Sequence, residues 1–278
     1  MPASVLSRPI PKTGERVPVI GMGTWITFDV GNDEALRDQR TEVLETFFAL
    51  GGGVIDSSPM YGSAEVVVGY GLKRLANTGG LFAATKVWTP VTVLGDGQRV
   101  HSQRLWGVER FDLMQVHNLL NWEGHLPRLL EDKAAGRIRY VGITTSHGRR
   151  HDLLARVMAE QPLDAVQFTY NIVDREAEAR LLPLAADRGL AVVINRPFRR
   201  GQLFQMFGRH PLPGWAGEIG CANWAQVFLK FIVSHPAVTC AIPATSRVTH
   251  MRENMGALSG PLPDAAMRAR MVRDVESL

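Results

Sequence analysis

A rhythm constrains this chain more than any other feature. Short apolar runs of strand length recur eight times, at VIGMGTW (19–25), GVIDSS (53–58), LFAATKVW (81–88), DLMQVHN (112–118), YVGITT (140–145), AVQFTYN (165–171), LAVVINRPF (190–198) and VTCAIPATS (238–246). Runs that are apolar throughout, rather than alternating, belong to a sheet covered on both faces, which implies parallel strands. Between them lie stretches with helical spacing. In EALRDQRTEVLETFFALGG (34–52) Leu36, Val43, Leu44 and Phe47 fall on one face and glycines end the helix. AEVVVGYGLKRLA, HLPRLLEDKAAGR, HDLLARVMAEQP, REAEARLLPLAADRG and ANWAQVFLKFIVSHP repeat the pattern, and only 89–109 is weakly patterned.

Eight such units within 278 residues predict an α/β fold of the (β/α)8 TIM-barrel type, one domain spanning 1–278. An open doubly wound sheet is the structural alternative. GMGTWI offers two glycines of a dinucleotide fingerprint and no third. Ahead of the first strand, RPIPKTGERVPVI places a Lys-Thr-Gly turn between two extended pieces, which predicts an N-terminal β-hairpin plugging the barrel mouth.

Charge narrows the partners. The net charge is +4, but basic and acidic residues interleave along the chain, so no stripe or arm for nucleic acid stands out. The mild excess suits an anionic small ligand. Cys221 and Cys240 lack metal-ligand or redox spacing and read as free thiols in a reducing compartment. No apolar run reaches membrane-spanning length and the first residues lack a signal-peptide core, so the expectation is a soluble, cytoplasmic protein.

Barrel active sites gather where strands end. The second strand delivers Asp56, with Tyr61 in the loop beyond; the third ends on Lys86; the fourth on His117. A lysine closing the apolar run LFAAT needs a carboxylate partner, and Asp56 comes from the adjacent strand. A tyrosine with a pKa of about 10 is a poor proton shuttle near neutrality. A cation beside it lowers that value, while the carboxylate keeps the lysine charged and aimed. Tyr61 then acts as the acid, and His117 orients a carbonyl oxygen and stabilises the alkoxide that develops as hydride arrives. The four residues read as a carbonyl-reducing site.

From VPVIGMGTW to TSRVTHMREN the chain resembles the aldo-keto reductase superfamily. The resemblance rests on the DxxxxYGxAE motif at Asp56 to Glu65, TKVW at Thr85 to Trp88, and Val116-His117 at the fourth strand. It implies NADPH (NADP+) bound in extended form across the C-terminal mouth, with NADH as second candidate, no metal and no Rossmann fold. Gly23 and Thr24 match positions beside the nicotinamide ribose, with Asp56 counted among the cofactor contacts too. Thr144 and Thr145 stand where many members have Ser-Asn holding the carboxamide, and Gln167 matches the glutamine of the sixth strand. Where many members read AYSPLxRG, with an aromatic residue stacked on the nicotinamide, this chain reads INRPFRRG. Asn195 or Arg196 takes the aromatic position, and Arg196, Pro197, Phe198 and Gly201 are the cofactor contacts implied there, with a solvated basic turn shared with Arg199 and Arg200 as the plainer reading of Arg196.

After the eighth strand, Ala244 replaces a lysine, Thr245 a serine and His250 an arginine of the family's 2′-phosphate grip, while Glu253 and Asn254 remain for the adenine. Ser246 and Arg247 add a hydroxyl and a guanidinium at this end. Trp25, Trp88 and Trp122 are the expected lining of an apolar substrate pocket. The implied function is NAD(P)H-dependent reduction of an aldehyde or ketone. The resemblance also admits a cofactor-sensing regulatory protein of the same fold, like the potassium-channel β subunits. A barrel isomerase or lyase for phosphorylated substrates ranks last, since RPFRRG holds one glycine where a phosphate loop needs several. Neither the substrate's identity nor the oligomeric state follows from the sequence.

Overall fold

A computed structural model describes residues 5–278. Strands β1 (Ser7–Pro9) and β2 (Arg16–Pro18) form an antiparallel hairpin. Eight parallel strands follow in sequence order: β3 (Met22–Gly23), β4 (Val54–Asp56), β5 (Phe82–Val87), β6 (Phe111–Val116), β7 (Ile138–Thr144), β8 (Ala165–Thr169), β9 (Ala191–Asn195) and β10 (Cys240–Ala241). Bridges from Ile20 to Ala241 and from Gly23 to Ala244 join the first of the eight to the last, with Gly21 N donating to Ala241 O at 2.8 Å. The sheet therefore closes, and the open-sheet alternative falls. Both strands at this seam are shorter than their apolar runs; Pro243 has no N–H to extend the ladder.

Helices α1 (Glu34–Ala49), α2 (Ala64–Leu72), α3 (Gly95–Trp106), α4 (Trp122–Ala134), α5 (His151–Glu160), α6 (Leu181–Asp187), α7 (Gln202–Phe207), α8 (Trp224–Ser234), α9 (Val248–Met255) and α10 (Ala265–Glu276) surround the barrel. Asp33 caps α1, its Oδ1 accepting from Leu36 N at 2.9 Å. Val43, Leu44 and Phe47 are buried as expected of the apolar face.

Strand periodicity sorts the core into two shells. Ile55, Ala83, Val87, Met114, Val116, Val141, Ile143, Val166, Phe168, Val192 and Ile194 face outward under the helices. Their inward neighbours Val54, Phe82, Ala84, Leu113, Tyr140, Ala165, Ala191, Val193 and Cys240 fill the lower barrel, where Ile10 and Val17 of the hairpin segment join them. The hairpin closes that end as anticipated. Arg8 Nη1 fastens it to the carbonyls of His235, Pro236 and Val238 at 2.6, 2.7 and 2.9 Å.

Helix α3 occupies the weakly patterned stretch 89–109, and its buried face explains the weak pattern. That face includes Ser102 and Trp106, which donate to the buried Glu65 carboxylate at 2.8 and 3.2 Å, and Thr85 of β5 donates to it at 2.6 Å. Polar residues with partners can be buried without an apolar stripe to announce them. Burial raises the Glu65 pKa against the pull of these three donors. Helix α10, which no strong periodicity marks, buries only Met271 and Val275.

Helix α2 packs on the end of α3 through Gly69, where an added Cβ would lie 1.7 Å from Leu105 O. Gly69→Ala must drive the two helices apart and should lower stability by about 3 kcal/mol. Chemical denaturation monitored by circular dichroism measures this. A midpoint equal to that of the parent protein would show that the α2–α3 contact yields at no cost.

Candidate active site

Because inward residues alternate, the positions above the apolar layer also point into the barrel. Asp56 follows Val54, Lys86 follows Ala84, Gln115 follows Leu113 and Gln167 follows Ala165. These four meet. Lys86 Nζ donates to Asp56 Oδ2 at 2.5 Å and to Ser57 O at 2.7 Å, while Gln115 Nε2 and Gln167 Nε2 each donate to Asp56 Oδ1 at 3.0 Å. Lys86 is 1% exposed and Asp56 2%, so neither charge is hydrated and each depends on the other.

Burial alone would pull the Lys86 ammonium down, but Asp56 and Tyr61 outweigh it and hold the group above the ordinary lysine value. Tyr61 projects from the loop between β4 and α2, its ring centroid 5.0 Å from Lys86 Nζ and 5.6 Å from the His117 ring. The loop is shaped by Gly62 at φ +59°, where a Cβ would collide with the Asp29 carboxylate, and Asp29 Oδ1 accepts from both Ser63 N and Ser63 Oγ at 2.9 Å. Burial raises the Tyr61 pKa, opposed by Lys86 and reinforced by Asp56. Lys86 acts in the expected direction, but the net shift is upward, because removing phenolate from water costs more than one neutralised cation returns. The phenol therefore stays protonated through the neutral range.

His117 is buried, and burial with the nearby Lys86 charge pushes its pKa down to about 2, so the ring is neutral. Its Nδ1 lies 2.8 Å from Ser58 Oγ, and that oxygen accepts from Met60 N at 3.2 Å. In the tautomer where Ser58 donates to Nδ1, Nε2 carries the ring hydrogen and is a donor for an oxygen arriving at the rim.

A cavity of about 820 Å3 opens above this cluster. Its wall takes Gly23, Thr24, Trp25, Asp56, Tyr61, His117, Thr144, Thr145, Gln167, Arg196, Pro197, Phe198, Gly201, Ala244 and His250, all singled out from the sequence. Lys86 lies just behind the wall. Thr245, Ser246, Arg247, Glu253 and Asn254 continue from the Ala244 side into α9 and are not part of the wall. Trp88 and Trp122 are not part of it either, so of the three tryptophans expected to line a substrate pocket the wall holds Trp25. The Trp88 backbone is held by Gln98 at 2.5 and 3.0 Å and its side chain is partly exposed, while Trp122 starts α4 and packs against the outer core.

Two buried polar atoms fit an absent nicotinamide cofactor. Thr145 Oγ1, in the cavity wall, and Asn254 Nδ2, in α9, have no hydrogen-bond partner among the described residues. Thr145 Oγ1 is the one of the two that lies in the cavity wall, where a polar ligand group would satisfy it. Thr144 Oγ1 is already engaged by Asn118 N at 2.9 Å, and the Gln167 amide is spent on Asp56. Arg196 is no solvated turn residue: it is half-buried, with Nη1 2.6 Å from His147 Nε2, while Arg199 pairs with Asp174 at 3.0 Å.

The wall also holds residues that the sequence did not single out, among them Ile26, Met60, Asn118, His147, Arg149, Arg150 and Phe204. SHGRRH, following the strand that ends on Thr144, was the available signal: a basic run at the rim end of a barrel strand. Among the described residues no group of histidines, cysteines and carboxylates could hold a metal ion, and no helix is long and apolar enough to cross a membrane.

A model of the Aldo/keto reductase family matches residues 19–270. An aldo-keto reductase of Strobilurus tenacellus is 27% identical over 271 residues, covering 84% of this chain and 80% of that one. An NADH-specific methylglyoxal reductase of Escherichia coli (strain K12) is 27% identical over 243 residues, covering 75% of this chain and 72% of that one. The solved structure of an aldo/keto reductase from Klebsiella pneumoniae in complex with NADP and acetate aligns with a TM-score of 0.81 at 23% identity, covering 96% of this chain and 95% of that one.

With Tyr61 held protonated and His117 held neutral, no group in the cluster changes charge near neutrality. Any reductive turnover at this site should have a kcat level from about pH 5 to 9, falling only where the phenol ionises. A pH–rate series on the purified protein checks this, and a tenfold rise or fall centred near pH 7 would identify a different acid.

Proposed function

Since the chain belongs to the aldo/keto reductase family, we propose that it reduces an aldehyde or ketone to the alcohol at the Asp56–Tyr61–Lys86–His117 cluster, as one barrel domain with NADPH as the preferred cofactor. The observation that carries this reading is the buried Lys86–Asp56 pair directly beneath a half-buried tyrosine and a neutral histidine on a single cavity wall. The cofactor, when bound, supplies the hydride.

This chain's residues handle the oxygen and its proton. His117 Nε2–H donates to the substrate carbonyl oxygen and fixes which face of the carbon is presented. As negative charge grows on that oxygen, Tyr61 transfers its phenolic proton. Lys86 stabilises the resulting phenolate, so the transition state gains an interaction that the neutral phenol lacks. Asp56 keeps the lysine charged and aimed, and Gln115 and Gln167 keep Asp56 from turning away. Thr145 and Asn254 are the contacts assigned to the nicotinamide and adenine ends, joined by Gly23, Thr24, Thr144, Arg196 to Phe198, Gly201, Ala244 to Arg247, His250 and Glu253. The relatives are named for turnover rather than regulation, so a cofactor-sensing role is the weaker reading. The two cysteines are free and buried, which suits a reducing cytoplasm.

Tyr61→Phe keeps the ring and removes the transferable proton. Turnover should fall on the order of a hundredfold or more while NADPH still quenches protein fluorescence on binding. Near-normal turnover in this variant would remove Tyr61 from the mechanism.

At the adenosine end, discrimination turns on a phosphate of nearly two negative charges. Ala244 contributes no cation. Arg247 N-caps α9, its backbone N–H held by Thr245 Oγ1 at 3.1 Å and its side chain exposed, with His250 nearby on the same helix. Arg247→Ala should weaken NADPH about tenfold and affect NADH far less. Equal weakening of both, or equal affinity of the parent protein for both, would overturn a 2′-phosphate site here.

A further inference from the structure

The cavity wall is electrically one-sided. Its only carboxylate is Asp56, already paired with Lys86, whereas four arginines line it: Arg149, Arg150, Arg196 and Arg200. Setting aside Arg196, which is assigned to the cofactor, three guanidinium groups have no counter-ion in the wall. Among the described residues none of the three forms a salt bridge.

Two of them contact neighbours of the residues that handle the proton. Arg150 Nη1 donates to Asn118 O at 2.7 Å, one residue beyond His117. Arg200 lies over the Trp25 ring, 4.6 Å from its centroid, and that ring is 6.4 Å from Tyr61. Both arginines have left-handed backbones, φ +59° and +60°, a conformation that costs a non-glycine residue energy and is retained where the surroundings impose it. The positive field is felt locally: burial and then the charges of Arg196, Arg149 and Arg200 hold His147 below the usual histidine value. The same wall also holds Trp25, Ile26, Met60 and Phe204, which carry no charge.

We propose that the substrate is an amphiphilic carbonyl compound bearing an oxyanion, a carboxylate or a phosphate, which Arg149, Arg150 and Arg200 receive while its apolar body lies against Trp25 and Met60. This rests on the carbonyl-reduction reading and names the substrate class within it. Guanidinium groups suit the task because their forked donors match both oxyanions. The anion also places the carbonyl: with the charged end held at the rim, the opposite end of a short substrate reaches the Tyr61–His117 pair.

The test compares matched aldehydes. 4-Carboxybenzaldehyde and its methyl ester differ in charge on one framework, and glyceraldehyde 3-phosphate and glyceraldehyde form the phosphate pair. With NADPH at low salt, the anionic member of at least one pair should show a kcat/KM about tenfold or more above the neutral one. The larger preference identifies the headgroup, and raising the ionic strength should shrink it as the field is screened. Arg149→Ala and, separately, Arg200→Ala should each pull the ratio several-fold toward one. Arg149 makes no side-chain hydrogen bond among the described residues, so its removal does not disturb the loop that Arg150 fastens. Neutral substrates preferred or equal in both pairs, or variants that slow both members alike, would overturn the anion site while leaving carbonyl reduction intact. If none of the four aldehydes oxidises NADPH, the carbonyl-reduction reading itself fails and takes this inference with it.

Discussion

One carboxylate organises the upper barrel. Asp56 accepts from Lys86 on one oxygen and from Gln115 and Gln167 on the other, so β4, β5, β6 and β8 are joined at a single point on the barrel axis. A lone charge there would cost several kcal/mol. The geometry is tolerable because every lone pair in use meets a donor and the lysine's charge cancels the carboxylate's. The arrangement leaves Lys86 with little freedom: two of its three protons go to Asp56 and Ser57 O, and what remains of its field is directed at the phenol above. Removing either partner would leave an uncompensated buried charge, so the pair holds the barrel together and prepares the site with the same atoms.

The contest between burial and charge decides how the tyrosine behaves. Proximity of a cation, considered alone, argues for a depressed phenol pKa, and that was the expectation from residue types. The cavity floor adds the opposing effect, and the phenol is raised. For an acid this is the useful sign, because the proton stays on Tyr61 until an oxygen that needs it is present. The cation's contribution is then felt mainly after transfer, when the phenolate exists.

Strand count, barrel closure and the Asp56–Tyr61–Lys86–His117 grouping were legible in the sequence because each rests on a local pattern: continuous apolar runs, and reactive residue types at the points where those runs end. What escaped had no local pattern. Helix α3 hides its buried face in Ser102 and Trp106, whose partner Glu65 is far along the chain. Trp88 follows a strand directly, yet it is not part of the cavity wall, and Gln98, ten residues on, holds its backbone. Which way a rim side chain faces depends on loop geometry, and loop geometry is set by distant contacts rather than by neighbours in sequence.

Net charge shows the same limit from the other side. A formal +4 spread among 31 basic and 27 acidic residues says nothing about where a field is strong. Folding sorts them. Asp112, Asp132 and Asp164, all outside the cavity wall, find arginine or lysine partners within 3 Å. The loops after β7 and β9 instead place Arg149, Arg150, Arg196 and Arg200 on one wall with no unpaired carboxylate to answer them, while Arg199 pairs with Asp174 outside it. Four of the basic residues are thus gathered on one concave surface, where their fields add. A cofactor with several phosphates can absorb part of that field, at Arg196 and toward α9. The arginines tethered beside His117 and Trp25 lie at the reacting end, and their charge is left for the molecule that reacts.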